Sequence, residues 1–211
     1  MVQGPDSEAE TAVSILDAAE PLFARQGFAA TTIKQIGAAA GVNPALIYYY
    51  FGSKEELYRR LLAHLFGILA RRATERLAAA GSPEAAVRAL LDVQSEVMRE
   101  HPSVARLIAR EMADHGAAHA QEGLTQLAAT AFARLLAFIQ EGQRAGVFRD
   151  DLDPRFAAIS TISLLPYFHL FKPAVGILLG EPGEPTPEQM EAYGRHAAEY
   201  ALAALSKGGG G

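Results

Sequence analysis

Residues 28–54 read FAATTIKQIGAAAGVNPALIYYYFGSK, a stretch whose reactive side chains are phenols, hydroxyls, two amides and ammonium groups. On a helix, Tyr48, Tyr49 and Tyr50 stand at steps of about 100°, so they cannot all be core. Ile47 and Phe51 are the natural buried pair, which turns at least two phenols outward, where their O–H groups can donate to phosphate oxygens. Asn43, Pro44 and Ala45 open the same helix, the end nearest base edges if it enters a groove. Asn43 can read an adenine or simply cap the helix, and both readings stand. Pro44, Ala45 and Leu46 offer apolar contact only, for example to a thymine methyl. Lys34 and Lys54 are cations placed to meet phosphates, and Thr32 can add a hydroxyl or a backbone N–H.

Punctuation residues define the elements that must position these groups. Thr32 and Gln35 have capping-box spacing ahead of an apolar-periodic run in which Ile33, Ile36 and Ala40 share a face. Gly41 suits the left-handed residue that ends a helix, Val42 is an apolar plug, Asn43 can cap the next helix, and Pro44 takes its first position. Gly52 closes that second helix. Two short helices around a glycine turn describe a helix-turn-helix, whose second helix lies in the DNA major groove. A first helix over residues 8–26, stopped by Gly27, carries Ala12, Ile15, Leu16, Ala19, Leu22 and Phe23 as one stripe. Packed on Ile33, Ile36, Ile47 and Phe51, it completes a three-helix core.

The segment TTIKQIGAAAGVNPALIYYYFGSKEEL resembles the DNA-binding signature of the tetracycline-repressor (TetR) family of bacterial transcription regulators, the likeness running from about Glu8 to Leu62. It departs from the family pattern at Gly37, where alanine is usual, and at Asn43 and Pro44, which replace a commoner serine and a variable residue. The resemblance implies that Tyr48 contacts phosphate, that Tyr49 touches DNA, and that Thr32, Lys34, Tyr50 and Lys54 belong to the same interface. It also implies a C-terminal helical domain that encloses an apolar cavity for a small molecule and forms a homodimer. Binding of that molecule would release a repressor from a palindromic operator.

An all-α fold of about nine helices is therefore expected, with a helix-turn-helix domain over 1–52 and a ligand-binding and dimerisation domain over 53–211. A long helix over 53–80, opened by Ser53 and Glu56 as a second capping box, joins them as a rigid lever. Further helices are expected over 83–100, 103–115, 124–145, from Asp153 through Phe171, and from Thr186 to about Lys207, followed by a disordered glycine tail. Phe66, Met98, Arg110, Met112, Phe132, Tyr167 and Phe171 are candidate lining residues of the cavity. The dimer interface is expected from Ile159, Ile162 and Pro166 on one helix and Met190, Tyr193, Ala197, Tyr200 and Ala204 on the last.

Composition narrows the alternatives. The 211 residues carry a net charge of −5, but no acid falls between Pro21 and Lys54, where Arg25, Lys34 and Lys54 lie. Absence of cysteine removes disulfides and thiol chemistry and fits a cytoplasmic protein. The N-terminal residues lack the basic and apolar regions of a signal peptide, and no uncharged apolar run reaches membrane-spanning length. No cofactor and no catalytic residue are expected. Glu111, His115 and His119 have metal-ligand spacing, but Gly116 interrupts the helix, which favours a solvated turn over a metal site. Arg106, Arg110 and Glu111 read as a surface ion-pair set, and His169 as a hydrogen-bonded core or interface histidine. A helical metal-dependent enzyme using the Glu–His–His set, or a DNA-binding protein without a ligand, are the alternatives.

Overall fold

The computed structural model describes residues 5–181 and 183–207, with the expected glycine tail lying outside the described residues. Eleven α-helices and one π-helical turn occur among them: α1 (Pro5–Ala30), α2 (Ile33–Ala40), α3 (Pro44–Phe51), α4 (Lys54–Ala78), α5 (Pro83–Glu100), α6 (Val104–His115), α7 (Gln121–Leu127), the π turn (Ala128–Phe132), α8 (Ala133–Arg144), α9 (Pro154–Leu170), α10 (Lys172–Leu178) and α11 (Pro187–Leu205). The count exceeds the nine expected for two reasons. The expected 124–145 helix is divided by the π turn, where the Thr130 hydroxyl donates to the Gln126 carbonyl at 2.7 Å. The chain also bends by 84° after α9 and forms α10 as a separate helix. No single described helix is long and apolar enough to cross a membrane.

Two compact units share the chain, and they do not follow a cut after Gly52. The first takes the chain up to Phe66 together with Ser103–Leu124, and the second takes Gly67–Pro102 together with Thr125 onward. Helix α4 starts in the first unit and ends in the second.

In the first unit the apolar stripe of α1 is buried as expected, with Ile15, Leu16, Ala19 and Phe23 in the core beside Ile33, Ile36, Ile47 and Phe51. Leu57, Tyr58, Leu61, Leu62 and Leu65 of α4 and Val104, Ala105 and Leu107 of α6 complete it. Phe66, expected to line a ligand cavity, is instead core: it lies under Gly123, where a Cβ would come within 2.8 Å of the phenylalanine.

In the second unit α5 packs on α8, α9 and α11, and α9 packs on α8 and α11. Its core includes Leu90, Val93, Val97, Leu135, Ile139, Phe148, Leu165, Phe168 and Leu202. Two of the expected dimer residues turn inward. Ala197 is buried, and Tyr193 stacks on Phe168 with ring centroids 3.8 Å apart while donating its hydroxyl hydrogen to the Leu164 carbonyl at 3.3 Å. The alanine-rich stripe of α11 sets the close approach to α9 within one chain, because small side chains let helix axes near each other. His169 is half-buried in this unit, and its burial, with Lys172 nearby, lowers its pKa to about 4.

That depression makes stability depend on pH. The unfolded imidazole takes its proton near pH 6.5, whereas the folded one resists until about 4. The His169 contribution is thus fully present above about pH 6.5 and is lost as the pH falls from there towards 4. Melting temperatures between pH 7 and 5 should fall more steeply for the wild-type chain than for His169→Gln.

Candidate nucleic-acid interface

The short helices α2 and α3 are each closed at both ends by the groups the sequence supplies. Thr32 Oγ1 accepts from the Gln35 N–H at 3.2 Å, and the Gln35 side chain accepts from the Thr32 N–H at 2.8 Å, a complete capping box. Gly41 ends α2 with φ of +68°, a left-handed conformation that a side chain strains. Asn43 Oδ1 accepts from the Ala45 N–H at 2.9 Å, so the amide caps α3, and Pro44 follows as its first residue. The family departure at Gly37 has a packing reason. A Cβ there would meet the Val42 carbonyl oxygen at 2.9 Å and Pro44 Cδ at 3.4 Å, so glycine admits the turn leading into α3 against α2.

The end of α1 is held by two cations. At Gly27 the backbone leaves the helical region with φ of +82°, and the Gly27 carbonyl accepts both the N–H and the hydroxyl of buried Thr31. Lys54 Nζ then donates to the carbonyls of Phe28 at 2.9 Å, Thr31 at 3.0 Å and Ala29 at 3.4 Å, and stands 4.4 Å from the centroid of the Phe28 ring. Arg110 donates from Nε to the Ala24 carbonyl at 3.1 Å and from a terminal nitrogen to Arg25 at 3.2 Å. Helix C-termini carry unpaired carbonyls and partial negative charge, which explains why ammonium and guanidinium groups settle there. Lys54, expected to hold phosphate, and Arg110, expected first in a surface ion-pair set and then as a ligand contact, are therefore internal ties.

What remains outward forms one set. Thr32 and Lys34 at the start of α2, and Asn43, Pro44, Ala45, Tyr48 and Tyr49 along α3, are all exposed. Tyr49 is 72% exposed and Tyr48 54%, whereas Ile47 and Phe51 are buried, so the division expected along α3 is realised. Tyr50 is half-buried, its ring edge-on to Tyr49 with centroids 5.2 Å apart. Ser53 caps α4 by accepting from the Glu56 N–H at 3.0 Å, but the Glu56 carboxylate pairs with Arg59 and Arg60, which takes these arginines out of a free basic patch. Phenols, an amide and one lysine thus face outward together on α2 and α3, and can donate to a phosphate backbone and to base edges.

The expected ligand-lining residues are divided between the two units. Phe66, Arg110 and Met112 belong to the first unit and Met98, Phe132, Tyr167 and Phe171 to the second. Met98 is buried, and only Tyr167 and Phe171 pair, stacking 4.6 Å apart on the exposed side of α9. An open groove of about 410 Å³ does occur in the second unit, lined by Leu152, Phe156, Ala157, Leu164, Tyr200 and Ala204, among others. The groove was not foreseen, because its walls combine the connection before α9 with α9 itself and α11.

Relatives agree with the geometry. The profile of bacterial regulatory proteins of the tetR family matches residues 15–61, and that of the tetracyclin repressor-like C-terminal domain matches 83–200. The HTH-type transcriptional repressor NicS of Pseudomonas putida is 32% identical over 157 residues, which is 74% of each chain. The HTH-type transcriptional regulator BetI of Rhizobium meliloti is 32% identical over 140 residues, 66% of this chain and 68% of that one. A mutant of HlyIIR, a hemolysin II transcriptional regulator, superposes with a TM-score of 0.71 at 25% identity, covering 96% of this chain and 100% of the other.

The distinction between ties and outward groups is measurable. Lys54→Met should lower unfolding stability by about 1–3 kcal/mol in urea, since three carbonyls lose their donor. Lys34→Ala and Tyr49→Ala should stay within about 0.5 kcal/mol of wild type, as exposed substitutions do. The chain belongs to the TetR family of bacterial transcription regulators and is a non-enzymatic DNA-binding protein.

Proposed function

We propose that the chain is a homodimeric repressor that places α3 of each subunit in a major groove of a palindromic operator, in the bacterial cytoplasm. The observation that carries this reading is the outward set Thr32, Lys34, Asn43, Pro44, Ala45, Tyr48 and Tyr49, mounted on helices whose ends are fully capped. Phosphate contact falls to Lys34, Thr32 and the two phenols, and base contact to the first turn of α3. With Asn43 Oδ1 already accepting from Ala45, adenine reading by this residue uses its amide N–H groups or gives way to capping. A single module with so few cations binds weakly, which is the physical reason for doubling it.

Exposed apolar groups on the second unit support a dimer. Phe156, Ile159 and Tyr167 stand along the outer side of α9, Tyr200 and Ala204 on α11, and Ile177 and Leu178 on α10. A monomer rarely leaves such a run open to water, and two helices from each of two copies make a four-helix interface. Ile162, Pro166 and Met190 are half-buried, at the edge of this face. The effector is a small apolar or aromatic molecule held by the second unit. Supporting this, Gln94, buried within the apolar interior of that unit, donates to the Ile162 carbonyl at 3.1 Å while its own Oε1 has no partner among the described residues. Helix α4, common to both units, is the element through which the ligand-bound state would become incompatible with the half-site spacing.

Fluorescence anisotropy against the gene's own upstream DNA and a scrambled duplex, at about physiological salt, tests the DNA reading. Selective binding is expected, weakened about tenfold or more by Tyr49→Ala, with Lys34→Ala lowering the salt slope by roughly one. Equal weak binding to random and selected sites would contradict it. The dimer is tested by sedimentation: the wild-type chain of 22.5 kDa should run at twice that mass, and the double substitution Ile159→Glu, Tyr200→Glu as a monomer. A thermal-shift screen of apolar and aromatic compounds addresses the effector; a DNA-binding protein without a ligand would give no hit.

A further inference from the structure

The first unit contains a second constellation that the DNA interface does not use. Glu111, near the end of α6, is fully buried although it is a carboxylate. The chain after α6 turns sharply, with Gly116 at φ of +56° and Ala117 at +68°, both left-handed. This turn brings His119 back onto the carboxylate. Its N–H donates to Glu111 Oε1 at 2.7 Å, and its Nδ1 lies 3.2 Å from Oε2. His115, one helical turn beyond Glu111, completes the group, its ring 4.7 Å from that of His119 and nearly perpendicular to it. Interruption of the helix at Gly116, in a turn whose Gly116 and Ala118 are exposed as expected, thus assembles the three side chains rather than separating them.

We propose that Glu111, His115 and His119 form a binding site for a borderline divalent transition ion, Zn²⁺ foremost. One donor atom from each lies within 4.8 Å of the others. Tetrahedral Zn²⁺ with bonds of about 2.0–2.1 Å needs donors roughly 3.4 Å apart, a contraction that rotation of two half-buried imidazoles supplies. Two imidazoles and one carboxylate select such ions over Mg²⁺ or Ca²⁺, which prefer all-oxygen sets. A buried carboxylate is costly without a compensating cation, and an ion between it and the imidazoles meets that need. Outer support is present too, since the Tyr58 hydroxyl is hydrogen-bonded to Glu111.

The site abuts the end of α1. The Phe28 ring stacks on His119 at 5.6 Å and meets His115 edge-on at 5.8 Å, and Lys54 lies over the same ring. Closing the imidazoles around an ion therefore tightens the segment 27–31 that leads into Thr32, the cap of α2.

Equilibrium dialysis of the chelator-treated full chain against Zn²⁺ tests the site directly. One ion per chain is expected, with affinity lowered at least about tenfold in His115→Asn and unaltered in the exposed control His196→Asn. Co²⁺ in place of Zn²⁺ should show the visible bands of four-coordinate geometry in the wild type only. Equal melting temperatures in chelator verify that the variant is folded; if His115→Asn melts lower, His115→Gln carries the same comparison. Amide exchange over 27–31 should slow on Zn²⁺ addition in the wild type and not in the variant. Absence of bound ion, equal binding by wild type and variant, or unchanged exchange would overturn the proposal.

Discussion

Carbonyls at the end of α1 converge on two cations, Lys54 from the start of α4 and Arg110 from α6, and the helix-turn-helix depends on that convergence. Helices as short as α2 and α3 are not stable alone in water. They persist because α2 packs on α1 and α3 packs on α2, and because their ends are capped. The exit angle of α1 must therefore be fixed before α2 can be placed. Gly27 supplies the break, Thr31 closes the turn after it, and the ammonium of Lys54 neutralises the carbonyls the break leaves behind. The consequence for function is that rigidity is delivered by polar ties behind the interface, leaving the outer side of α3 free of structural duties apart from its Asn43 cap.

Much of this was legible in the residues themselves. Capping residues act on their own backbone a few positions away, so Thr32, Gln35, Gly41, Asn43 and Gly52 could be read without tertiary information, and the burial of Ile47 and Phe51 followed from helical spacing. Long-range polar ties were not legible. An isolated lysine at a helix start looks the same whether it will meet phosphate or the carbonyls of residues more than twenty positions earlier. Arg110 and Glu111 were misread together for the same reason: helical spacing alone places them on a polar surface, whereas one caps α1 and the other is enclosed by a turn that reverses the chain.

The second unit shows the limit of periodicity in another form. An alanine-rich stripe on α11 suits close helix packing, but spacing does not say whether the partner is the same chain or another copy. Ala197 and Tyr193 resolved inward against α9 and α5, while Tyr200 and Ala204 resolved outward. Likewise, aromatic residues distributed over several helices cannot be sorted into core and lining, and Phe66 and Met98 proved to be core. The interleaving of the two units along the chain, with α6 returning to the first, explains why a cut after Gly52 was the natural reading and yet misses part of the support of α1.

In the proposed complex, DNA is met by the outward side of α3 and the start of α2, with the Lys54 and Arg110 ties behind them left unchanged. Its most direct test is an NMR titration of the chain with a duplex recovered by selection from random sequences. Shifts should concentrate at Thr32, Lys34, Asn43–Ala45, Tyr48 and Tyr49, with the Lys54 ammonium environment and residues 24–29 unmoved. Shifts confined to other surfaces, or a Lys54 resonance that moves with phosphate contact while its carbonyl bonds are lost, would contradict it.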